Sequence, residues 1–408
     1  MNLNIQNFNQ IIFIKLIKLL TFLFILFLPL RNGSFSYSDI VFPVLFLLLY
    51  KYNLISLNKN LIHQFFINNK LFVIISILFI TSYLVVGINN LGTPYNNQNW
   101  ALFFGSLYLV WIAYTFSILP IYIGLGDISR YALYSALIHS FIGIIAYILF
   151  YIGLHNNLIC LICTESPYYS NIPRLVSFTA SPNAIAFYLL TCIFIFYISS
   201  SIVKARYLFY FFIILICVFL TFSKTLYVFI FLSLIFFLVK GNFLKITAIF
   251  LIGTVYMVGT HFYIDISSSC LSQKVIYPLE FNGFFFDLCK TYFYDQKKIY
   301  IDILFSYFDF FGLGVYLVYK FGAPHSLLLE SLILYGVLGI LTLYLFIFYL
   351  LSIINITFLN KNFYYYFIFF IIIVSINEDL FRYRELWLFL GLLIFVSSIK
   401  KNNYLYVE

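Results

Sequence analysis

Apolar residues in this chain fall into unbroken runs of about 20, the length one helical crossing of a bilayer needs. Short segments carrying Lys, Arg, Asn, Asp, Pro or Gly separate them. The runs do not alternate apolar with polar, so they predict membrane helices and not the strands of a β-barrel. Twelve crossings are expected, over 11–30, 39–57, 71–90, 100–123, 131–152, 183–202, 207–222, 225–239, 243–260, 326–353, 363–377 and 385–399. The segments 225–239 and 363–377 are short for a straight span, and a tilted or re-entrant piece would serve in place of either. Residues 11–30 contain Lys15 and Lys18 and lack a small-residue cleavage site, which makes them a first crossing instead of a removed signal peptide. The expected fold is all-α: one integral membrane domain over 1–408, a bundle of about 12 transmembrane helices.

Composition agrees with that pattern. Of 408 residues 64% are hydrophobic and only 9% charged, with a mean hydropathy of +1.03. A soluble globular domain carries about 25% charged residues. The net charge of +9 does not indicate nucleic acid, because Lys and Arg sit between apolar runs and form no basic stripe.

The cations orient the helices. With both termini cytoplasmic, thirteen of the 23 Lys and Arg residues fall on the cytoplasmic side, among them Lys15, Lys18, Arg130, Lys400 and Lys401. The short external loops hold five, Arg31, Arg174, Lys224, Arg382 and Arg384, and the last five lie in one long loop. This is the positive-inside asymmetry of a multi-pass protein. Asp127 and Glu408 are the only two of the 14 acidic residues assigned to the cytoplasmic side.

The long external loop spans 261–325, and its mixture of charged and apolar residues across 295–311 predicts a short membrane-surface helix. Cys192 and Cys217 fall inside predicted helices, where a thiol acts as a small hydrophobe. Cys160, Cys163, Cys270 and Cys289 fall in external loops; an even number on an oxidising face admits one or two disulfides, whose pairing the sequence leaves open. Cys160 and Cys163 have redox-motif spacing without the βαβ context that chemistry needs. The five His residues lack metal-ligand spacing, and no Gly-rich phosphate loop is present, so neither a metal nor another cofactor is expected.

Four polar constellations remain at external helix ends. Arg174 precedes Ser181-Pro182-Asn183, a capped helix start, and a guanidinium there can offer a planar fork to phosphate oxygens. Lys224 lies in Thr221-Phe-Ser223-Lys224-Thr225, a polar break in a long apolar run, either at a helical hairpin or facing a wet cavity. Pro324-His325-Ser326 begins a helix in which Glu330 follows Ser326 by one turn, and Gly336 and Gly339 permit close packing. Asn377-Glu378-Asp379-Leu-Phe-Arg382-Tyr-Arg384-Glu385 concentrates five charges in eight residues, which are expected to pair chiefly with one another. Each constellation also has a plain structural reading: a snorkelling Arg, a hairpin marker, a hydrogen-bonded boundary His and an ion-pair network.

In order, these pieces resemble the O-antigen ligase and polymerase family of bacterial membrane glycosyltransferases. Arg174 with Ser181-Pro182-Asn183, Phe222-Ser223-Lys224-Thr225, Phe311-Gly312-Leu-Gly314, and Pro324-His325-Ser326 followed by Glu330 and Tyr335-Gly336-Val-Leu-Gly339 carry the likeness, over roughly 170–345. Lys224 stands where many members have Arg, and Ser326 where many have Asn. The resemblance implies glycan transfer from an undecaprenyl-diphosphate-linked donor to a sugar hydroxyl at the external face of the bacterial inner membrane. The acceptor is another glycan for a polymerase and lipid A core for a ligase; a chain-length regulator is a further partner such systems use. It assigns His325 to general-base or hydroxyl-orienting duty and Arg174 and Lys224, with Arg382 or Arg384, to the diphosphate, supported by Asn183, Ser326 and Glu330. Polymerisation of O-antigen or exopolysaccharide repeats is the preferred reading, with ligation as its alternative. A lipid-linked oligosaccharide flippase, from a different class, would need charges lining both leaflets; these gather at one face.

Overall fold

A computed structural model describes residues 2–32, 35–51, 69–91, 96–153, 163–165, 173–176, 182–199, 205–221, 310, 312–313, 327–357 and 383–405. The predicted crossings 225–239, 243–260 and 363–377, the surface helix over 295–311 except Phe310, and most of the loop 261–325 lie outside the described residues.

The described chain is helical apart from two small antiparallel ladders. The helices are α1 (Asn2–Phe27), α2 (Ser38–Lys51), α3 (Lys70–Asn89), α4 (Asn96–Ile118), α5 (Pro120–Ile123), α6 (Leu125–Tyr151), α7 (Pro182–Ser199), α8 (Ala205–Leu220), α9 (Leu327–Thr357) and α10 (Arg384–Leu405). The ladders are β1 (Arg31–Asn32) with β2 (Phe35–Ser36), and β3 (Cys163–Glu165) with β4 (Pro173–Leu175). Four stretches, Lys70–Asn89, Asn97–Ile123, Leu125–Tyr151 and Ser331–Ile353, are long and apolar enough to cross a membrane. Pro182–Ile198 and Phe209–Leu220 are shorter apolar helices. Large apolar side chains such as Phe104, Ile145, Phe212 and Tyr344 point outward, which suits a lipid environment.

The boundary between the fourth and fifth predicted crossings is tighter than the hydropathy implies. Pro120 cannot donate the helical bond its position requires, so α4 ends at Ile118 and the single turn α5 follows. Gly124, at φ 83°, then reverses the chain directly into α6, which starts at Leu125 and not near residue 131.

Contacts fix the relative directions of the helices. α1 and α6 run parallel: Lys18 meets Asp127, Phe22 meets Tyr131, and His139 Nε2 lies 2.9 Å from the Leu26 carbonyl. α7 is antiparallel to α6, through Ser129 against Ile195 and Ser135 against Tyr188. α3 and α9 are antiparallel, with ring centroids of Tyr83 and Tyr335 at 4.4 Å and of Phe72 and Tyr349 at 6.0 Å. Gly87 faces Trp100 across the α3–α4 hairpin, and Gly391 of α10 packs on the Ala113 backbone and Phe116 of α4. Phe187 against Tyr383, at 4.9 Å, aligns α7 with α10. It follows that α2, α4, α7, α9 and α10 start at one end of the bundle, and α1, α3, α6 and α8 finish there. This is the alternation expected of consecutive crossings.

Candidate functional site

The shared end gathers the described members of the sequence constellations. Arg174 lies in β4, its backbone paired with Thr164, and the neighbouring Leu175 is buried against Gly143 of α6. Asn183 occupies the first turn of α7 behind Pro182 and is half-buried. Glu330 lies in the first turn of α9, and Arg384 opens α10. His325, Lys224, Arg382 and Ser326 lie outside the described residues.

Two further pieces interlock. The Phe310 carbonyl accepts a hydrogen bond from Val337 N at 3.1 Å, and Leu313 N donates to the Ile333 carbonyl at 2.9 Å. These bonds hold the Gly312 segment against a kink in α9 at Gly336, whose φ of 62° and ψ of −149° suit only glycine. A side chain on Gly336 would strike the Phe310 carbonyl and Gly312 N; one on Gly312 would strike the Leu334 carbonyl. The glycines of the two motifs thus serve one close backbone contact.

α2 and the last described helix, α10, meet in an ion pair. Arg384 donates from Nε to Asp39 Oδ1 at 2.7 Å and from Nη2 to Oδ2 at 2.6 Å, a bidentate fork. Asp39 Oδ2 also accepts from Ser36 N at 2.9 Å, and the buried hydroxyl of Tyr108 borders the pair. The sequence predicts that Arg384 pairs chiefly within its own charge cluster, whose members 377–382 lie outside the described residues; among the described residues it joins a carboxylate 345 residues away. Glu385, the next residue, is buried within electrostatic reach of Tyr188 and Cys192.

The pair does not sit at the outer rim. Tyr108 follows the start of the Asn97–Ile123 span by eleven residues, which at about 1.5 Å per residue places it roughly 17 Å inward. The ends of α1, α7 and α10 therefore meet about halfway along their taller neighbours α4 and α6. A helix that stops at such depth exposes carbonyls with no intrahelical partner. α1 resolves this with backbone turns, Leu28 N to Ile25 O at 3.3 Å and Leu30 N to Phe27 O at 3.1 Å, and with side chains from elsewhere. Ile25 O accepts from Tyr188 Oη at 3.0 Å, and Leu26 O accepts from His139 Nε2 at 2.9 Å. Ser36 Oγ, at 3.0 Å from Phe27 O and 3.2 Å from Leu28 O, serves the next two. Ser36 also bonds Ser38 Oγ at 2.8 Å, which closes the α1–α2 turn.

A second ion cluster lies toward the opposite end. Lys18 Nζ is 2.6 Å from Asp127 Oδ2, and Arg130 bonds the same carboxylate. All three are among the residues whose charges the sequence assigns to the cytoplasmic side.

Asp39, Tyr108, Tyr188, His139 and Ser36 are not among the residues the sequence singles out for the site. Asp39 had a signal: it is the only acidic residue before Asp127. Cys192 and Cys217 are buried free thiols within helices, as expected. Of the loop cysteines, only Cys163 falls among the described residues, in β3. Among those residues no group of three or more His, Cys, Asp or Glu is arranged to hold a metal. No protein-family model, curated protein or solved structure matches the chain.

Proposed function

We propose that this chain is a membrane glycosyltransferase that polymerises undecaprenyl-diphosphate-linked oligosaccharide repeats into O-antigen or exopolysaccharide at the external face of a bacterial inner membrane. The observation that carries the reading is the gathering at one end: β4 with Arg174 and the starts of α7, α9 and α10 all lie there. A flippase would instead need candidate charges distributed through both leaflets.

In this reading a sugar hydroxyl of the acceptor attacks the anomeric carbon of the donor. The new glycosidic C–O bond forms as the bond to the diphosphate breaks, and undecaprenyl diphosphate leaves with the electron pair. His325 accepts the hydroxyl proton or orients the hydroxyl. Negative charge grows on the departing phosphate oxygens, and Arg174, Lys224, Arg382 and Arg384 supply fixed positive charge for it, so the step requires neither a nucleotide nor a metal. Asn183, Ser326 and Glu330 support this site by hydrogen bonding. Both termini are then cytoplasmic, with the Lys18–Asp127–Arg130 cluster on the cytoplasmic side.

Deletion of the gene tests this. A polymerase null leaves a single repeat on the lipid A core or its equivalent anchor. Full-length polymer stranded on undecaprenyl diphosphate would assign ligation instead, and unaltered surface glycan would overturn both.

A further inference from the structure

We infer that the break in α9 is a conformational latch: the Gly312 segment, docked into the break, holds the helix bent, and when the segment withdraws α9 closes over the gap and straightens. The two docking bonds engage a matched pair of groups. Val337 N donates to the Phe310 carbonyl at 3.1 Å, and the Ile333 carbonyl accepts from Leu313 N at 2.9 Å. Ile333 and Val337 stand four residues apart, the spacing at which an α-helix joins carbonyl to amide. The segment has therefore taken both halves of one helical hydrogen bond, and its departure returns them to each other. Neither helix group is stranded in either state, so the exchange avoids the penalty of an unpaired buried backbone group. The segment's own groups belong to the loop that the sequence assigns to the external face, where water replaces their partners.

The bend is large. A methyl on Gly339 would strike the Ser331 carbonyl and the Tyr335 side chain, so residues 331 and 339 touch across the break. In a straight helix they stand about 12 Å apart along the axis. Gly336 is the hinge: glycine alone adopts both its present φ of 62° and a helical conformation without strain. The arm 337–357 is anchored, with ring centroids of Tyr349 and Phe72 at 6.0 Å and of Phe346 and Trp387 at 6.2 Å. The arm 327–335 is then the one that moves, and its movement breaks the contact of Tyr335 with Tyr83. That arm carries Glu330, so docking of the Gly312 segment sets the position of a residue of the third constellation, whatever chemistry the shared end performs. Such an element, with two discrete hydrogen-bonded arrangements, is what a switch requires.

The test uses the full chain in detergent. Hydrogen exchange at single amides of the unmodified protein, corrected for intrinsic rates, needs no variant. Leu313 is expected to exchange at least tenfold faster than Val337, because withdrawal exposes the first amide while the second passes to the Ile333 carbonyl. Equal rates, or faster exchange at Val337, would mean that the helix does not close behind the segment and would overturn the inference. The distance between spin labels at Leu332 and the exposed Phe348, in a cysteine-free background, gives a second reading. Gly312→Val, whose side chain would meet the Leu334 carbonyl and keep the segment out, is expected to lengthen that distance to about 24 Å, the value for a continuous helix. A folded Gly312→Val with the wild-type distance would reduce the contact to a fixed clamp and overturn the inference as well.

Discussion

Gly312 and Gly336 lie in one close backbone contact: a side chain on Gly336 would meet Gly312 N and the Phe310 carbonyl, and one on Gly312 would meet the Leu334 carbonyl and Tyr335 Cα. The contact pins the residues just before the third constellation onto the kinked start of α9, and both glycines have positive φ, 87° and 62°. Gly336→Ala forces a left-handed conformation on an L side chain, of order 1–3 kcal/mol, in addition to the clash with the Phe310 carbonyl. A drop in melting temperature is expected in detergent, whereas Gly105→Ala, with nothing near its added methyl, leaves it close to wild type.

The two ion clusters respond differently to neutralisation. Asp127→Asn removes a carboxylate shared by Lys18 and Arg130, whose side chains are 36% and 54% exposed, and is expected to change stability by about 1 kcal/mol or less. Asp39→Asn removes a bidentate partner from Arg384 in a pair whose side chains are only 12% and 14% exposed, a loss of about 3 kcal/mol. Chemical unfolding of the two variants in one detergent compares them, and equal losses would refute the difference in environment.

Tyr188 seals the end of α1 from a helix more than 150 residues away, since its hydroxyl donates to Ile25 O and meets Ser135 Oγ. Tyr188→Phe keeps the ring and removes the hydroxyl. It is expected to destabilise the bundle by about 1 kcal/mol, the net worth of a lost hydrogen bond, since Ile25 O keeps its bond from Leu28 N. The same substitution at the exposed Tyr344 should have no measurable effect.

Helix directions place Leu91, at the end of α3, and Gly126, at the start of α6, at opposite ends of the bundle; both are exposed. In a cysteine-free background, Leu91→Cys in intact spheroplasts is expected to react with a membrane-impermeant thiol reagent, and Gly126→Cys only after lysis. The reverse pattern would invert the proposed orientation, and labelling of both before lysis would contradict the alternation of crossings.

Sequence reasoning reached the helices because their signal is local: an apolar run long enough to cross a bilayer marks α3, α4, α6 and α9 without help from neighbours. It also assigned Arg174, Asn183, Glu330 and Arg384 to one face, as alternation of crossings requires. The pairing of Arg384 with Asp39 was out of reach. Charge spacing along the chain favours the nearby Glu378 and Asp379, whereas the pairing with Asp39 depends on how α2 and α10 pack against α4. The depth of that pair was equally hidden, since hydropathy marks where a run begins but not where its neighbours end. The reversal at Gly124 agrees with the predicted end of the crossing at 123, whereas the break at Pro120 fell inside that apolar run and the start of the next helix at Leu125, ahead of residue 131, was not read.

The central claim, that the gathered end transfers glycan from a lipid diphosphate, is tested most directly by reconstitution. Purified full-length protein in proteoliposomes, supplied with undecaprenyl-diphosphate-linked repeat alone, is expected to yield a ladder of polymer resolved by gel electrophoresis. Arg174→Ala and His325→Ala should each reduce that ladder by at least tenfold while the proteins remain folded. A ladder undiminished by both substitutions, or no polymer from a folded wild-type protein given the repeat of its own host, would contradict the account.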